Sequence, residues 1–326
     1  MDTAVIGLGL IGGSLLRALA AAGHRVVGFD IDPATRSAAR RAAHRSGGGG
    51  TWRVAETVET AVENTGLVVL AVPLPALPDV WARMTGAGHT GLVTDVTSVK
   101  EPVRALAGGR HRFVGGHPMA GRETSGFAAA DPGLFTGCAW VLCLESETVL
   151  ADWLDLAHLL TSLGARVVPA TAAEHDRAVA TVSHVPHLVA AALVDAAAGD
   201  PLAALLAAGS YADGTRVAAS SPDLVAAMCG GNAPSVGPAL DAVLDVLRAQ
   251  RATLDGPEPV AALRPLLAPA SAVRRSWPPA AGVPGDLPAT ADALLAAGRA
   301  GGWVTAVADD RRSATVVRPD VPAARN

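Results

Sequence analysis

The sequence predicts an α/β fold: a Rossmann-type, doubly wound, mostly parallel sheet followed by an all-helical second domain. Three observations carry this expectation. Short, continuous apolar runs alternate with helical patterns through the first half of the chain. Such runs suit strands buried on both faces, as a parallel sheet requires. The first run leads into Gly7-Leu-Gly-Leu-Ile-Gly12, a G-x-G-x-x-G turn at the start of a helical pattern. Beyond residue 170 the strand pattern stops, and the chain reads as helix to about Leu254.

Thr3–Gly7 and Arg25–Phe29 read as the first two strands. Between them, Ser14–Ala22 is an Ala/Leu-rich helix stopped by Gly23. Asp32-Pro33 supplies an N-cap and a proline at the first helical position of the next helix. Ser46–Gly50 is a flexible glycine loop. Strands follow at Gly66–Val72, Gly91–Val96, Arg112–Gly116, Cys138–Leu144 and Ala165–Val168. Thr171-Ala-Ala-Glu174 fits a capping box and opens the helical domain. The expected boundaries are 1–168 for the nucleotide-binding domain and 169–255 for a helical substrate and dimerisation domain. Residues 256–326, with ten of the 23 prolines, read as a Pro-rich linker and tail. Within them 257–288 reads as an extended wrap, Ala289–Ala300 as a helix, and Trp303–Val307 with Ala314–Val317 as a hairpin.

Composition narrows the function classes. Half of the 326 residues are hydrophobic, enough for a large core. Net charge is −4 with no basic block, which argues against a nucleic-acid partner. No apolar run reaches the roughly 18 residues of a membrane span, so no membrane partner is expected. Three cysteines without a CxxC indicate neither a disulfide framework nor structural zinc, and no metal is expected. These features fit a soluble, cytoplasmic setting.

The glycines divide the labour of a dinucleotide site. Gly7 permits the tight turn, Gly9 lets a pyrophosphate approach the backbone, and Gly12 allows close packing of helix on strand. Leu10 and Ile11, inside the turn, belong with the cofactor contacts, and the helix that follows offers its N–H groups to the phosphates. Asp30 closes the second strand and suits hydrogen bonds from a ribose 2′-hydroxyl. A carboxylate there favours NAD over NADP, although Arg36 and Arg40 lie nearby. Val72 and Pro73, at the end of the Gly66–Val72 run, belong with the cofactor contacts.

His117 stands at the end of an apolar run, directly before Pro118. A residue before proline is biased to extended geometry, so His117 continues the strand direction toward the ligand crevice. There it can act as a base; a loop histidine is the equal alternative from position alone. Ser98 can bond the same substrate hydroxyl or orient His117. Lys100, the only lysine, does structural work or meets an anion. Asp176, Ser183 and His187 share one face of a regular helix, which Pro186 should kink. Arg216 offers a planar fork to a carboxylate, and Asp176 can hold it.

Taken together, GLGLIGGS at 7–14, SVK at 98–100, GHPMAG at 116–121, SHVPH at 183–187 and DGTRVAAS at 213–220 resemble the prephenate dehydrogenase family. The match runs from residue 1 to about 255. The long apolar helices of the second domain suit a homodimer through that domain. The resemblance implies oxidation and decarboxylation of prephenate, a cyclohexadienyl acid, to 4-hydroxyphenylpyruvate with NAD(P)⁺; relatives act on arogenate. It makes His117 the base with Ser98 assisting. It gives the ring carboxylate to Arg216, and the side-chain end of the substrate to Ser183 and His187. Three departures stand out. Arg122 follows Gly121 where the family often has Thr, an extra cation for a dianionic substrate. Val225 replaces a usual Trp. The stretch 283–307 resembles only a piece of the ACT regulatory domain that ends many relatives. Arogenate or an aminated prephenate is therefore the alternative substrate, and an NAD(H)-binding sensor without turnover is the alternative from another class.

Overall fold

The computed structural model describes residues 2–45, 52–109, 112–122 and 124–320. The glycine loop expected at 46–50 lies outside them. Six parallel strands form the first sheet: β1 (Thr3–Ile6), β2 (Val26–Phe29), β3 (Trp52–Val54), β4 (Leu67–Leu70), β5 (Leu92–Asp95) and β6 (Phe113–Val114). Their order is β3-β2-β1-β4-β5-β6. The winding therefore reverses between β1 and β4, which opens a crevice at the strands' carboxyl ends.

Helices α1 (Leu10–Ala21), α2 (Pro33–Arg45), α3 (Val58–Val62), α4 (Leu77–Gly86) and α5 (Glu101–Ala107) connect these strands. The pleat sends Val5 into one apolar cluster with Leu15, Leu16 and Leu19. It sends Ala4 and Ile6 into another with Val62, Trp81 and Met84. Burial on both faces is why the strands read as continuous apolar runs.

Arg112–Gly116, expected as one strand, is divided between two sheets. β6 ends at Val114, the chain crosses at Gly115, and β7 (Gly116–Pro118) opens a second sheet. β8 (Ala139–Cys143), α6 (Leu150–Ser162) and β9 (Arg166–Ala170) continue it. β7 runs antiparallel to β8, and β8 parallel to β9.

The helical region starts with α7 (Ala172–Val179), whose Thr171–Glu174 capping box forms as expected. One π-helical turn, Ala180–His184, joins it to α8 (Val185–Ala197). The run 172–197 is long and apolar enough to cross a membrane by composition, contrary to the sequence reading. Buried His175, Asp176 and His184 lie on it, each hydrogen-bonded inside the protein. Pro186 falls in the first turn of α8, where its missing N–H follows the wider π turn. α9 (Pro201–Leu206), α10 (Gly209–Thr215), α11 (Pro222–Gly231), α12 (Ala233–Leu254) and α13 (Pro259–Arg275) complete the region.

α13 overturns part of the expected wrap at 257–288. Pro259 occupies the first turn, where no donor is lost, and Pro265 and Pro269 sit within Ala- and Leu-rich helix. Proline density was the wrong guide there.

The last segment is not a separate tail. β10 (Gly285–Pro288), α14 (Ala291–Arg299), β11 (Trp303–Val307) and β12 (Ser313–Val317) extend the second sheet in the order β10-β12-β11-β9-β8-β7. Leu294, Ala297, Val304 and Val316 enter the same core cluster as α1 and α6. A Cβ on Gly298 would fall 1.8 Å from the Pro169 carbonyl oxygen, so α14 lies directly against β9.

Candidate active site

The glycine turn has the contacts its sequence demands. Gly7 adopts φ +98°, and a Cβ there would meet the Ala71 carbonyl oxygen at 2.3 Å. A Cβ on Gly12 would lie 1.9 Å from the Gly7 oxygen. Gly9 differs: among the described residues, a Cβ there would meet nothing within 4 Å. It opens on space outside the backbone, and it caps α1 without a side-chain acceptor. Leu10 and Ile11 begin α1, and Val72 and Pro73 follow β4 beside the turn, with Val72 Cγ1 3.1 Å from the built Gly7 Cβ. Open space in front of uncapped N–H groups is what a pyrophosphate needs. The residues therefore fit a dinucleotide.

Asp30 stands at the carboxyl end of β2. Its Oδ2 accepts the Leu8 N–H at 2.7 Å and its Oδ1 the Asp32 N–H at 2.9 Å. The carboxylate is thus fixed beside the turn, with lone pairs remaining for a ribose hydroxyl.

A buried ionic clamp positions the strand that carries His117. Asp95, at the end of β5, accepts the Gly116 N–H at 3.1 Å through Oδ1. Its Oδ2 pairs with Lys100 Nζ and accepts the Thr97 N–H at 3.0 Å. Lys100 Nζ donates in turn to the Gly116 carbonyl oxygen at 2.6 Å and to Thr97 Oγ1 at 3.0 Å. Both backbone polar groups of Gly116 are therefore held. A Cβ on Gly116 would reach the Asp95 carbonyl oxygen at 2.7 Å, which explains glycine there. Lys100 is 1% exposed, so its work is structural.

His117 follows in β7, paired with Val141 of β8. Its Nδ1 lies 2.8 Å from His175 Nε2. His175 Nδ1 lies 2.7 Å from Asp176 Oδ1. Asp176 also accepts the Lys100 N–H at 2.8 Å and the Glu101 N–H at 2.9 Å, at the start of α5. The charges fix the proton positions. An ionised carboxylate accepts only, so His175 donates from Nδ1 and its Nε2 is bare. His117 must then donate from Nδ1, which leaves its Nε2 as the free base.

The pKa directions agree with this assignment. Burial first, then repulsion between a protonated His117 and its neighbours His175, Lys100 and His184, holds His117 well below the usual histidine range. Burial also lowers His175, against the opposing hydrogen bond that it donates to Asp176. Burial disfavours the Asp176 carboxylate, but hydrogen bonds from His175 and the Glu101 and Lys100 amides outweigh it and keep the carboxyl below its ordinary value.

The helical stripe divides differently from a regular helix. Asp176 was expected beside Ser183 and His187 as a substrate contact and a holder of Arg216. Instead its oxygens are taken by His175 and the α5 amides, and it is 2% exposed. His184 joins this buried side: Asn232 Nδ2 donates to the Asp176 carbonyl oxygen at 2.7 Å and lies 3.2 Å from His184 Nδ1. Burial lowers the His184 pKa to about 4. Ser183 and His187 keep company on another side, with His187 Nδ1 2.8 Å from the Ser183 carbonyl oxygen. The π turn shifts the phase between the two groups. His187 Nε2 is 3.4 Å from Ser220 Oγ. Ser220 directly follows the short 3₁₀ turn Arg216–Ala219, which packs on α8. Arg216 is exposed at the start of that turn.

Ser98 lies on the loop between β5 and Lys100 and is partly exposed; the partner at His117 Nδ1 is His175, not Ser98. Arg122, expected to meet the substrate, pairs with Asp131 at 2.5 Å on the surface. Sequence reasoning missed His175, Asp95 and Asn232. The Glu-His-Asp triplet at 174–176 was visible, but helical spacing drew attention to Asp176 alone.

A doubly wound sheet with an open glycine turn at its carboxyl edge, followed by a helical region, defines a dinucleotide-binding architecture. Comparison with known proteins specifies it further. The family model of the prephenate dehydrogenase nucleotide-binding domain matches residues 15–169, and that of the prephenate dehydrogenase dimerization domain matches residues 171–256. The chain belongs to the prephenate dehydrogenase family. It is 34% identical over 266 residues to the cyclohexadienyl dehydrogenase of Zymomonas mobilis, covering 78% of this chain and 89% of the relative. It is 35% identical over 234 residues to the prephenate dehydrogenase of Bacillus subtilis, covering 68% of this chain. That match spans 62% of the Bacillus subtilis protein, and one to the prephenate dehydrogenase of Lactococcus lactis spans 60%. The chain thus matches about three fifths of the length of the Bacillus subtilis and Lactococcus lactis proteins. Among solved structures, a Corynebacterium glutamicum protein proposed as a prephenate dehydrogenase superposes with a TM-score of 0.77 at 34% identity, covering 86% of this chain and 90% of that one.

Proposed function

We propose that this protein oxidises and decarboxylates prephenate to 4-hydroxyphenylpyruvate. NAD⁺, held by the Gly7–Gly12 turn and Asp30, supplies the hydride acceptor when bound. The observation that carries this reading is the tautomer imposed on His117 through His175 by Asp176. That tautomer leaves Nε2 of His117 unprotonated at physiological pH.

His117 Nε2 takes the proton of the ring hydroxyl. The O–H electron pair forms the carbonyl as hydride leaves the same carbon. The C–C bond to the ring carboxylate then breaks, CO₂ departs, and its electron pair makes the ring aromatic. The phenolate oxygen recovers the proton from His117, so the base is regenerated without net proton uptake. His175 and Asp176 stabilise the transient imidazolium by accepting along the Nδ1 line. We assign Arg216 to the ring carboxylate, Ser183 and His187 to the pyruvyl end, and Ser98 to the hydroxyl. Fixed geometry supplies much of the rate enhancement, because loss of CO₂ to an aromatic product is strongly downhill.

The helical region leaves Leu193, Leu202, Leu205, Leu224, Val246, Leu247 and Val273 exposed. With the match to the dimerization domain, these faces support a homodimer.

NADH formation on mixing the purified protein with NAD⁺ and prephenate tests the activity. Arogenate and an aminated prephenate form the comparison arms, and the preferred substrate is the one with the highest kcat/KM. Nucleotide binding without turnover on any of the three would favour the sensor reading.

A further inference from the structure

We propose that Glu56 enforces the choice of NAD over NADP by holding Arg40 away from the adenosine 2′ position. The inference rests on the dinucleotide reading above and extends it to a residue outside the glycine turn.

The register of two neighbouring strands places Glu56. β2 and β3 are parallel, with Gly28 opposite Val54. Asp30 and Glu56 each lie two residues beyond that pair, so both leave the sheet side by side at its carboxyl edge. The Ala55 N–H donates to the Gly28 carbonyl oxygen at 2.9 Å, which keeps the two chains together past the last paired residues.

Two arginines approach this edge from α2. Arg36 and Arg40 are four residues apart and share one helix face. Arg36 is tied down in several ways: Nη1 donates to the Asp30 oxygen at 2.8 Å and the Ile31 oxygen at 3.0 Å, and Nε lies 3.3 Å from Glu56 Oε2. Arg40 is held chiefly by one contact, Nη2 to Glu56 Oε1 at 2.5 Å. Its other partner is the Val54 oxygen at 3.5 Å, a marginal hydrogen bond.

A planar guanidinium at the 2′ corner is the group that would accept a 2′-phosphate. Glu56 engages one arm of that fork and offsets its charge. Without Glu56, Arg36 keeps its two carbonyl anchors while Arg40 becomes available. Glu56 and Arg40 are 68% and 37% exposed, so a ligand phosphate has access to both. Asp30 repels the phosphate directly, and Glu56 removes its most mobile counter-charge.

The test is a fluorescence titration of the whole protein with NADH and with NADPH, without substrate. Glu56→Gln should move the NADPH-to-NADH affinity ratio toward NADPH by about three- to fivefold, the scale of one exposed charged contact. Glu56→Gln with Arg40→Ala should return the ratio to the parent value. An unmoved ratio in Glu56→Gln overturns the proposal. So does a gain that survives Arg40→Ala, because simple loss of negative charge would then explain it. A parent protein that binds no NADH overturns the dinucleotide reading and this proposal with it. A parent that binds NADH beside an unmoved ratio overturns this proposal alone.

Discussion

His117 Nδ1 lies 2.8 Å from His175 Nε2, and the two rings meet edge to face with centroids 5.0 Å apart and planes at 76°. Two buried imidazoles can make this contact only if one donates and the other accepts. Asp176, on the far side of His175, decides which does which. His175→Ala should therefore lower kcat by about 10²-fold while leaving KM and NADH affinity nearly unchanged, because the base loses its tautomer and not its place. His117→Asn should lower kcat by about 10²–10⁴-fold. Equal kcat values for His175→Ala and the parent would remove the His–His–Asp chain from the mechanism.

The lowered histidine pKa values set a pH window with a definite sign. A histidine whose folded pKa is below the unfolded value, about 6.5, binds fewer protons folded than unfolded. Its stabilising contribution is full above about pH 6.5 and is lost as pH falls toward the folded value. For His184 the folded value is about 4. The urea midpoint should thus be lower at about pH 5 than at about pH 7. The acid limb of kcat/KM should fall below the ordinary histidine range, because burial keeps His117 unprotonated there. An acid limb above pH ~7 would contradict the assigned base.

Lys100→Met should destabilise the protein by about 3–5 kcal/mol, read from denaturant unfolding. It leaves the Asp95 carboxylate, 0% exposed, without its cation and frees the Gly116 carbonyl oxygen. Adding Asp95→Asn should recover part of the loss, since no buried charge then remains unpaired. Full stability in Lys100→Met would show that the clamp contributes little.

Gly9→Ala separates folding from binding. Its backbone, φ −69° and ψ −158°, suits any residue, and the new methyl meets no atom of the described residues within 4 Å. The melting temperature should hold while NADH affinity falls by at least about tenfold, because the methyl enters the space assigned to the pyrophosphate. Unchanged affinity would place the nucleotide elsewhere.

The parts of the fold legible in the sequence are those set by local pattern. Continuous apolar strands, the glycine turn and the Thr171–Glu174 capping box each depend on residues close together in the chain. What escaped is set by distant partners. Nothing near Lys100 in the sequence announces that its ammonium reaches back to Asp95 and across to Gly116. The Asp176–Ser183–His187 spacing presumes 3.6 residues per turn, and the π turn at Ala180–His184 breaks that presumption. The hairpin of β11 and β12 could be read locally, but its docking beside β9 joins residues more than a hundred positions apart.

That docking carries a consequence for making the protein. Residues 285–317 cover the flank of β9, whose final residues lead directly into the helix bearing His175. A version truncated after α13 would bare a row of unpaired amides and carbonyls, a template for sticking to other chains. Its failure would appear as aggregation during expression, and lost catalysis would follow from insolubility even with every residue of the crevice intact.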